Sequence, residues 1–307
     1  MDIIRGSENI PATLKGVFAT IGNFDGVHLG HRHIFQKLRE EAHREGCKTV
    51  VISFDPHPKM VLHPDRRPFY LISSAAEKIN LLREIDMGAF LIIPFSLEYS
   101  KTTAREFVRD ILWEKLRIRK IIIGHDYTFG RGKEGNEAFM AEEGRRLGFE
   151  VEAMNAFCVG DELVSSTKIR EALLRGDVRF AAALLGRPYN LSGRVVRGDQ
   201  RGVELGFPTA NVEANKELLP PHGVYAVRCL LKGKSHDGVV NIGFNPTFAG
   251  GKLSIEVHIF DFHQDIYGEI LDVLFIEKLR DEIRFESPEK LIEQIKLDTA
   301  RARVLLA

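Results

Sequence analysis

Two histidines three residues apart, His28 and His31, stand in the run Gly22-Asn23-Phe24-Asp25-Gly26-Val27-His28-Leu29-Gly30-His31. A strand that ends in a glycine-rich turn and leads into a helix aims backbone N–H groups at one point, which suits a phosphate. At this spacing both imidazoles face one side of a helix start. Gly30 between them removes a side chain that would block close approach. Imidazoles so placed can donate hydrogen bonds to phosphate oxygens as charge develops during a transfer. On its own the His-x-Gly-His pattern reads as helix-start histidines satisfying local backbone groups. The preceding strand and the Gly22–Asn23 turn shift the reading to phosphate chemistry. A metal site would need a further ligand, and none stands nearby in the sequence.

A second cluster is Ser165-Ser166-Thr167-Lys168-Ile169-Arg170. One hydroxyl would cap a helix, leaving the others and the free N–H groups for a phosphate, with positive charge from Lys168 and Arg170. Alone it reads as an ordinary cap; with His-x-Gly-His in one domain it resembles the second signature of the nucleotidyltransferase superfamily. Gly124-His125-Asp126-Tyr127-Thr128-Phe129-Gly130 and Phe54-Asp55-Pro56-His57-Pro58 each end a predicted strand, where parallel sheets bind ligands. Asp126 could accept from a nucleoside, and Phe54, Asp55 and His57 could wall an acceptor substrate. A glycine-bounded turn with an aromatic plug accounts for the first of these segments equally well.

The C-terminal half carries Gly193-Arg-Val-Val-Arg-Gly198-Asp-Gln-Arg-Gly202-Val-Glu-Leu-Gly206-Phe-Pro-Thr209-Ala-Asn211. Clustered glycines permit a loop over a phosphate chain, although a β-hairpin with a bulge fits the same residues. Thr209 and Asn211 share a face of an extended segment and are hard oxygen ligands of the kind Mg²⁺ takes. In Ser254-Ile-Glu-Val-His-Ile-Phe260, Ile255, Val257 and Ile259 alternate with Glu256 and His258. Glu256 is then either a solvent-facing carboxylate or, if its face lines a barrel mouth, a general base for a hydroxyl.

Strands and helices alternate over residues 1–186. Strands are predicted at Val17–Gly22, Thr49–Asp55, Ala89–Phe95, Lys120–Gly124 and Glu150–Phe157. Helices are predicted at His31–Glu45, after the capping boxes Ser74–Glu77 and Thr103–Glu106, over Asn136–Leu147 and over Lys168–Arg175. This is an α/β pattern, a doubly wound parallel sheet of Rossmann-like type. The texture changes near Gly186. Gly223–Leu231, Asp237–Gly243, Leu253–Phe262 and Glu269–Ile276 alternate like antiparallel strands of a small β-barrel. Ser287-Pro288 opens a C-terminal helix. The domain boundary is expected at residues 185–190, giving domains 1–186 and 187–307.

Of 307 residues, 44% are hydrophobic and 28% charged, a globular balance with room for two domains. Lys+Arg and Asp+Glu both number 43, which argues against a broad nucleic-acid or membrane surface. Cys47, Cys158 and Cys229 are scattered and form no C-x-x-C pair, so they read as reduced thiols. Met1–Thr13 lacks the apolar core of a signal peptide, and a cytoplasmic protein is expected.

The segments GNFDGVHLGH, FDPHP, GHDYTFG, SSTKIR, LGRPYNLSGRVVRGDQRG, GFPTAN, HGVYAV, NIGFNPTF and KLRDEIRFESPEKL, in this order, resemble the bacterial bifunctional riboflavin kinase/FMN adenylyltransferases, or FAD synthetases. The resemblance implies that the C-terminal domain phosphorylates riboflavin with ATP. Glu256 would be the base, Thr209 and Asn211 the Mg²⁺ site, and Gly193, Gly198 and Gly202 nucleotide-binding. It implies that the N-terminal domain adenylylates FMN to FAD. There His28, His31 and Arg170 would be catalytic. Gly22, Asn23, Phe24, Asp25, Gly26, Gly30, Asp126, Ser165, Ser166 and Thr167 would bind nucleotide, and Phe54, Asp55 and His57 would border the flavin. The implied partners are small molecules, ATP, riboflavin and FMN, and the chain is expected as a monomer or weak homo-oligomer. Two rival readings are an adenylyltransferase for another phosphate acceptor with a non-catalytic barrel, and a flavin or nucleotide sensor.

Overall fold

The apolar runs of the first half show little alternation because each is a strand covered on both faces. In the computed structural model, which describes residues 1–198, 202, 206–245 and 252–307, these runs form a parallel sheet. Its strands are β1 (Asp2–Arg5), β2 (Phe18–Ile21), β3 (Thr49–Asp55), β4 (Ala89–Pro94), β5 (Lys120–Gly124) and β6 (Glu150–Met154), in the order β1-β4-β3-β2-β5-β6. The order reverses at β2, so a crevice opens beyond the carboxyl ends of β2 and its neighbours. Helices α1 (Leu29–Arg44), α2 (Pro58–Leu62), α3 (Ala75–Glu84), α4 (Ala104–Phe107) and α5 (Glu137–Leu147) connect the strands.

Two apolar clusters flank this sheet, one built on Val50, Leu91 and Ile121 and the other on Phe35, Leu38 and Val51. The Ser74 and Thr103 capping boxes form as expected. The helix opened by Thr103 turns after Phe107 into a π-helix, Val108–Lys115. The strand β1 was not expected: it is an edge strand in which only Ile4 is buried, too little pattern to read. The strand expected to reach Phe157 stops at Met154, and a short hairpin follows, β7 (Cys158–Val159) with β8 (Glu162–Leu163).

The chain divides into two compact units, Met1–Phe69 with Ser73–Ser165, and Tyr70–Ile72 with Ser166–Ala307. The second unit starts with helices α6 (Ser166–Arg175) and α7 (Val178–Leu185). The latter packs on strands of the barrel, so the compact units part before the change of texture near Gly186. Among the described residues the barrel closes in the order β10-β13-β12-β11-β14-β9. These strands are β9 (Tyr189–Val196), β10 (Ala210–Ala214), β11 (Gly223–Leu231), β12 (Lys234–Asn245), β13 (Lys252–Ile259) and β14 (Ile270–Arg280), followed by α8 (Pro288–Leu306).

Ser287 caps α8 and Pro288 starts it, as the sequence requires. The strands β9 and β10 pair antiparallel, in keeping with the β-hairpin that the Gly193–Asn211 stretch also allowed. At Gly193 in β9, a Cβ would overlap the Glu213 carbonyl oxygen of β10.

Fully buried aromatics fill part of the barrel. Tyr225 and Phe275 meet edge to face at 5.4 Å, and Tyr189 lies 6.1 Å from Phe275. The Tyr189 hydroxyl donates to Leu218 O at 2.7 Å and that of Tyr225 to Pro221 O at 2.6 Å, so both rings are buried without an orphan polar atom. Phe275→Ala should therefore cost about 3–5 kcal/mol of stability, read from the calorimetric unfolding of the variant against the parent.

Candidate active sites

The turn after β2 is strained. Phe24 and Val27 hold left-handed backbone at φ 48° and 42°, which costs an L-residue roughly 1–2 kcal/mol each. Both side chains are buried, Phe24 against Phe35 at 4.8 Å, so core packing opposes the strain. Gly26, at φ 84°, donates its N–H to Ser73 Oγ at 2.9 Å. The buried Asp25 carboxylate accepts from Ser73 N at 3.1 Å. Asn23 O accepts from Lys78 Nζ at 2.6 Å and from Ser53 Oγ at 3.3 Å. A Cβ at Gly22 would run into the Phe24 ring at 2.9 Å. The turn is thus pinned from β3, from the segment before α3, and from α3 itself.

His28 is the N-cap of α1, and its Nδ1 accepts from His31 N at 3.3 Å. With Nδ1 an acceptor, the neutral ring carries its proton on Nε2. The two rings stack at 3.5 Å with an interplanar angle of 17°. Gly30 leaves room for this: a Cβ would lie 3.3 Å from the His28 ring and 3.5 Å from Phe157 Cβ. Burial first, then His28 and Lys78, push the His31 pKa well below its ordinary value of 6.5. His31 Nδ1 is buried without a partner in the protein. His31 is therefore a neutral donor stacked on the helix-capping His28, an arrangement suited to hydrogen-bonding a charged phosphate.

The other predicted residues of this half fall as follows. Phe24 is a core residue that braces His31 edge to face at 5.2 Å. Asp126 is exposed just beyond β5, whereas Phe129 is buried and is the aromatic plug of its turn. Phe54, one residue before the end of β3, lies within an aromatic group, 5.7 Å from Phe95 and 6.2 Å from Tyr99. The Tyr99 hydroxyl is buried without a partner, and burial raises its pKa. Asp55 is exposed and 4.0 Å from Arg5, while His57 caps α2 by accepting from Lys59 N at 3.2 Å. Ser165 immediately precedes α6, which begins at Ser166 and includes Thr167. Arg170 Nε donates to Tyr70 O at 2.7 Å within the second unit.

In the barrel, strand register does the positioning. Glu256 on β13 stands opposite Asn211 on β10 and opposite Asn241 on β12, giving a row of three polar residues across adjacent strands. Ile255, Val257 and Ile259 are buried on the other face, as the alternation requires. Asn211, Glu256, Ser254 and Gly198 line a cavity of about 510 Å³. A Cβ at Gly198 would overlap the Asn211 amide, and one at Gly202 would overlap the Phe207 carbonyl oxygen and lie 3.2 Å from the Thr209 hydroxyl. These two glycines keep both proposed ligands uncovered, whereas Gly193 serves strand packing. Residues 199–201 and 203–205 of the glycine-rich stretch lie outside the described residues.

His258 Nδ1 lies 2.9 Å from Pro208 O and so fixes the backbone just before Thr209, a contact that alternation alone did not reveal. Ser73 and Lys78 were also missed, since no local pattern says that a capped helix leans on a distant turn. Among the described residues no three His, Cys, Asp or Glu side chains gather as a metal cage. Asn211 stands opposite Glu256, and with Thr209 it offers oxygen donors of the hard kind that Mg²⁺ takes.

A family model described as FAD synthetase matches residues 10–168, and one described as riboflavin kinase matches residues 185–306. The bifunctional riboflavin kinase/FMN adenylyltransferase of Escherichia coli strain K12 is 39% identical over 305 residues, covering 99% of this chain and 97% of that protein. Its counterpart in Listeria monocytogenes is 36% identical over 291 residues, covering 94% and 91%. Among solved structures, a macrolide-efflux protein from Streptococcus pneumoniae superposes with a TM-score of 0.90 at 32% identity and covers 99% of both chains. Among the described residues here, no helix is long and apolar enough to cross a membrane.

The lowered pKa of His31 has a signed consequence. The unfolded chain takes up a proton near pH 6.5 that the folded chain refuses, so the contribution to stability is complete above that pH and is lost as pH falls towards the folded value. Between pH 6.5 and about 5, the parent should lose more stability than His31→Gln, as measured by urea unfolding at each pH.

Proposed function

Because the chain belongs to the family of bifunctional riboflavin kinase/FMN adenylyltransferases, we propose that its two reactions use the two constellations just described. Its C-terminal domain is a riboflavin kinase and its N-terminal domain an FAD synthetase, so the chain makes FMN from riboflavin and FAD from FMN. We assign the adenylyl transfer to residues 1–186 and the kinase to residues 187–307. Supporting this reading is one observation: the His28–His31 stack and the Asn211–Glu256 pair are each intact within one compact unit.

In the kinase, the terminal hydroxyl of riboflavin attacks the γ-phosphorus of ATP and the Pγ–O bond to ADP breaks. Glu256 takes the hydroxyl proton. Thr209 and Asn211 would hold a Mg²⁺, which when bound offsets the charge of the nucleotide phosphates. Gly198 and Gly202 let the chain approach those phosphates. In the adenylyltransferase, a phosphate oxygen of FMN attacks the α-phosphorus of a second ATP and pyrophosphate leaves. His28 and His31 donate hydrogen bonds to the transferring group at the start of α1. Ser165, Ser166, Thr167 and Arg170 bind the triphosphate, Asp126 contacts the nucleoside, and Phe54, Asp55 and His57 border the flavin.

Purified protein with riboflavin, ATP and Mg²⁺ should yield FMN and then FAD on chromatography. Glu256→Gln should lower FMN formation by roughly 10²–10⁴-fold, the usual worth of a general base, and leave FMN-to-FAD conversion intact. His28→Ala should do the reverse, by roughly 10²–10³-fold. Loss of both activities from either change would overturn the division of labour.

A further inference from the structure

The adenylyl transfer brings the phosphate of FMN against the triphosphate of ATP, two anions in a partly desolvated crevice. The histidine pair offers chiefly hydrogen-bond donors: His31 is held neutral, and His28 spends Nδ1 on the backbone of His31. With Arg170 assigned to the triphosphate, a further positive charge would offset that of the attacking phosphate. Within the first unit, an ammonium group touches the Gly22–His28 turn. Lys78, half-buried one turn into α3, donates to Asn23 O at 2.6 Å. Its field reaches His31, and it lies under the influence of Asp25 on the turn and Asp55 at the end of β3. Its contact is thus with the turn itself, and both carboxylates that act on it favour its charged form.

Fixing Asn23 O does not require a lysine, because Ser53 Oγ already donates to the same oxygen at 3.3 Å. Burying an ammonium to repeat that bond carries a desolvation cost, which is seen in the lowered pKa of Lys78. An ammonium has three N–H donors, and the Asn23 carbonyl uses one of them. Asp25, the carboxylate of the turn, is itself engaged by Ser73.

We propose that Lys78 is a phosphate-binding residue of the adenylyltransferase site, and that the phosphate it receives is the attacking one, that of FMN. The choice of phosphate rests on the proposed placing of the flavin beside Phe54, Asp55 and His57. The ammonium would hold the acceptor phosphate next to the histidine pair and offset its charge as it closes on the α-phosphorus.

The test is steady-state kinetics of Lys78→Gln and Lys78→Arg in the full chain, with riboflavin phosphorylation in the same preparations as the control for folding. Glutamine keeps an N–H donor for Asn23 but removes the charge. The expected result for Lys78→Gln is a fall of roughly 10²-fold in kcat/KM for FMN, mostly as a higher KM, with the KM for ATP within about twofold of the parent. Lys78→Arg should recover much of the loss. A Lys78→Gln enzyme with the parental KM for FMN, an equal rise in both KM values, or an arginine variant no better than glutamine would each overturn the inference. Parent protein that makes no FAD from FMN and ATP would instead remove the reading of the site itself, and that outcome is separate.

Discussion

The turn that follows β2 must keep two non-glycine residues in left-handed backbone, and the first site depends on that constraint being met. Phe24 and Val27 meet it by burying their side chains, so the energy that holds the turn comes from the core. Once Phe24 is locked, its ring edge braces His31, and the N-cap bond sets the tautomer of His28. The stack of the two imidazoles, their burial and the neutrality of His31 all follow from the same anchorage. A looser turn would expose the histidines, raise the His31 pKa and replace a fixed pair of donors with a solvated one.

The barrel reaches the same end by a different device. There no strained turn aims the side chains. The antiparallel register places Asn211, Glu256 and Asn241 in one row, and a slip of one residue would send Glu256 into the face now held by Ile255 and Val257. The buried partners of alternation therefore do the positioning. The segment before Thr209 is the exception, being loop rather than strand, and there His258 supplies a tether from the same face as Glu256.

These devices explain what could be read in the sequence. Thr49–Asp55, Lys120–Gly124 and Gly223–Leu231 were legible to the residue because their apolar content is continuous or strictly alternating. Ser74, Thr103 and Ser287 were legible because a cap is a local contact. What remained hidden depends on distant partners. Gly193 looks like a loop glycine until β10 crosses it. Phe24 sits within the proposed phosphate motif yet acts through the core. Lys78 reads as an ordinary helix-surface lysine, since nothing near it in the sequence announces Asn23.

The two sites also differ in one chemical respect that their nucleophiles explain. Riboflavin attacks through a hydroxyl, which must lose a proton, so a carboxylate belongs beside it; Glu256 lines the barrel cavity. FMN attacks through a phosphate that is already ionised, so a base gains nothing there and a nearby unpaired carboxylate would repel it. The first site follows that logic. Asp25 lies within the phosphate turn, but its carboxylate is buried and engaged by Ser73 N and Oγ. Asp55 lies beside Arg5. A neutral His31 and the half-buried Lys78 ammonium beside that turn are what the proposed meeting of two anions calls for. A chain with equal numbers of acidic and basic residues thus meets opposite electrostatic demands by local placement, and its net charge bears on neither reaction.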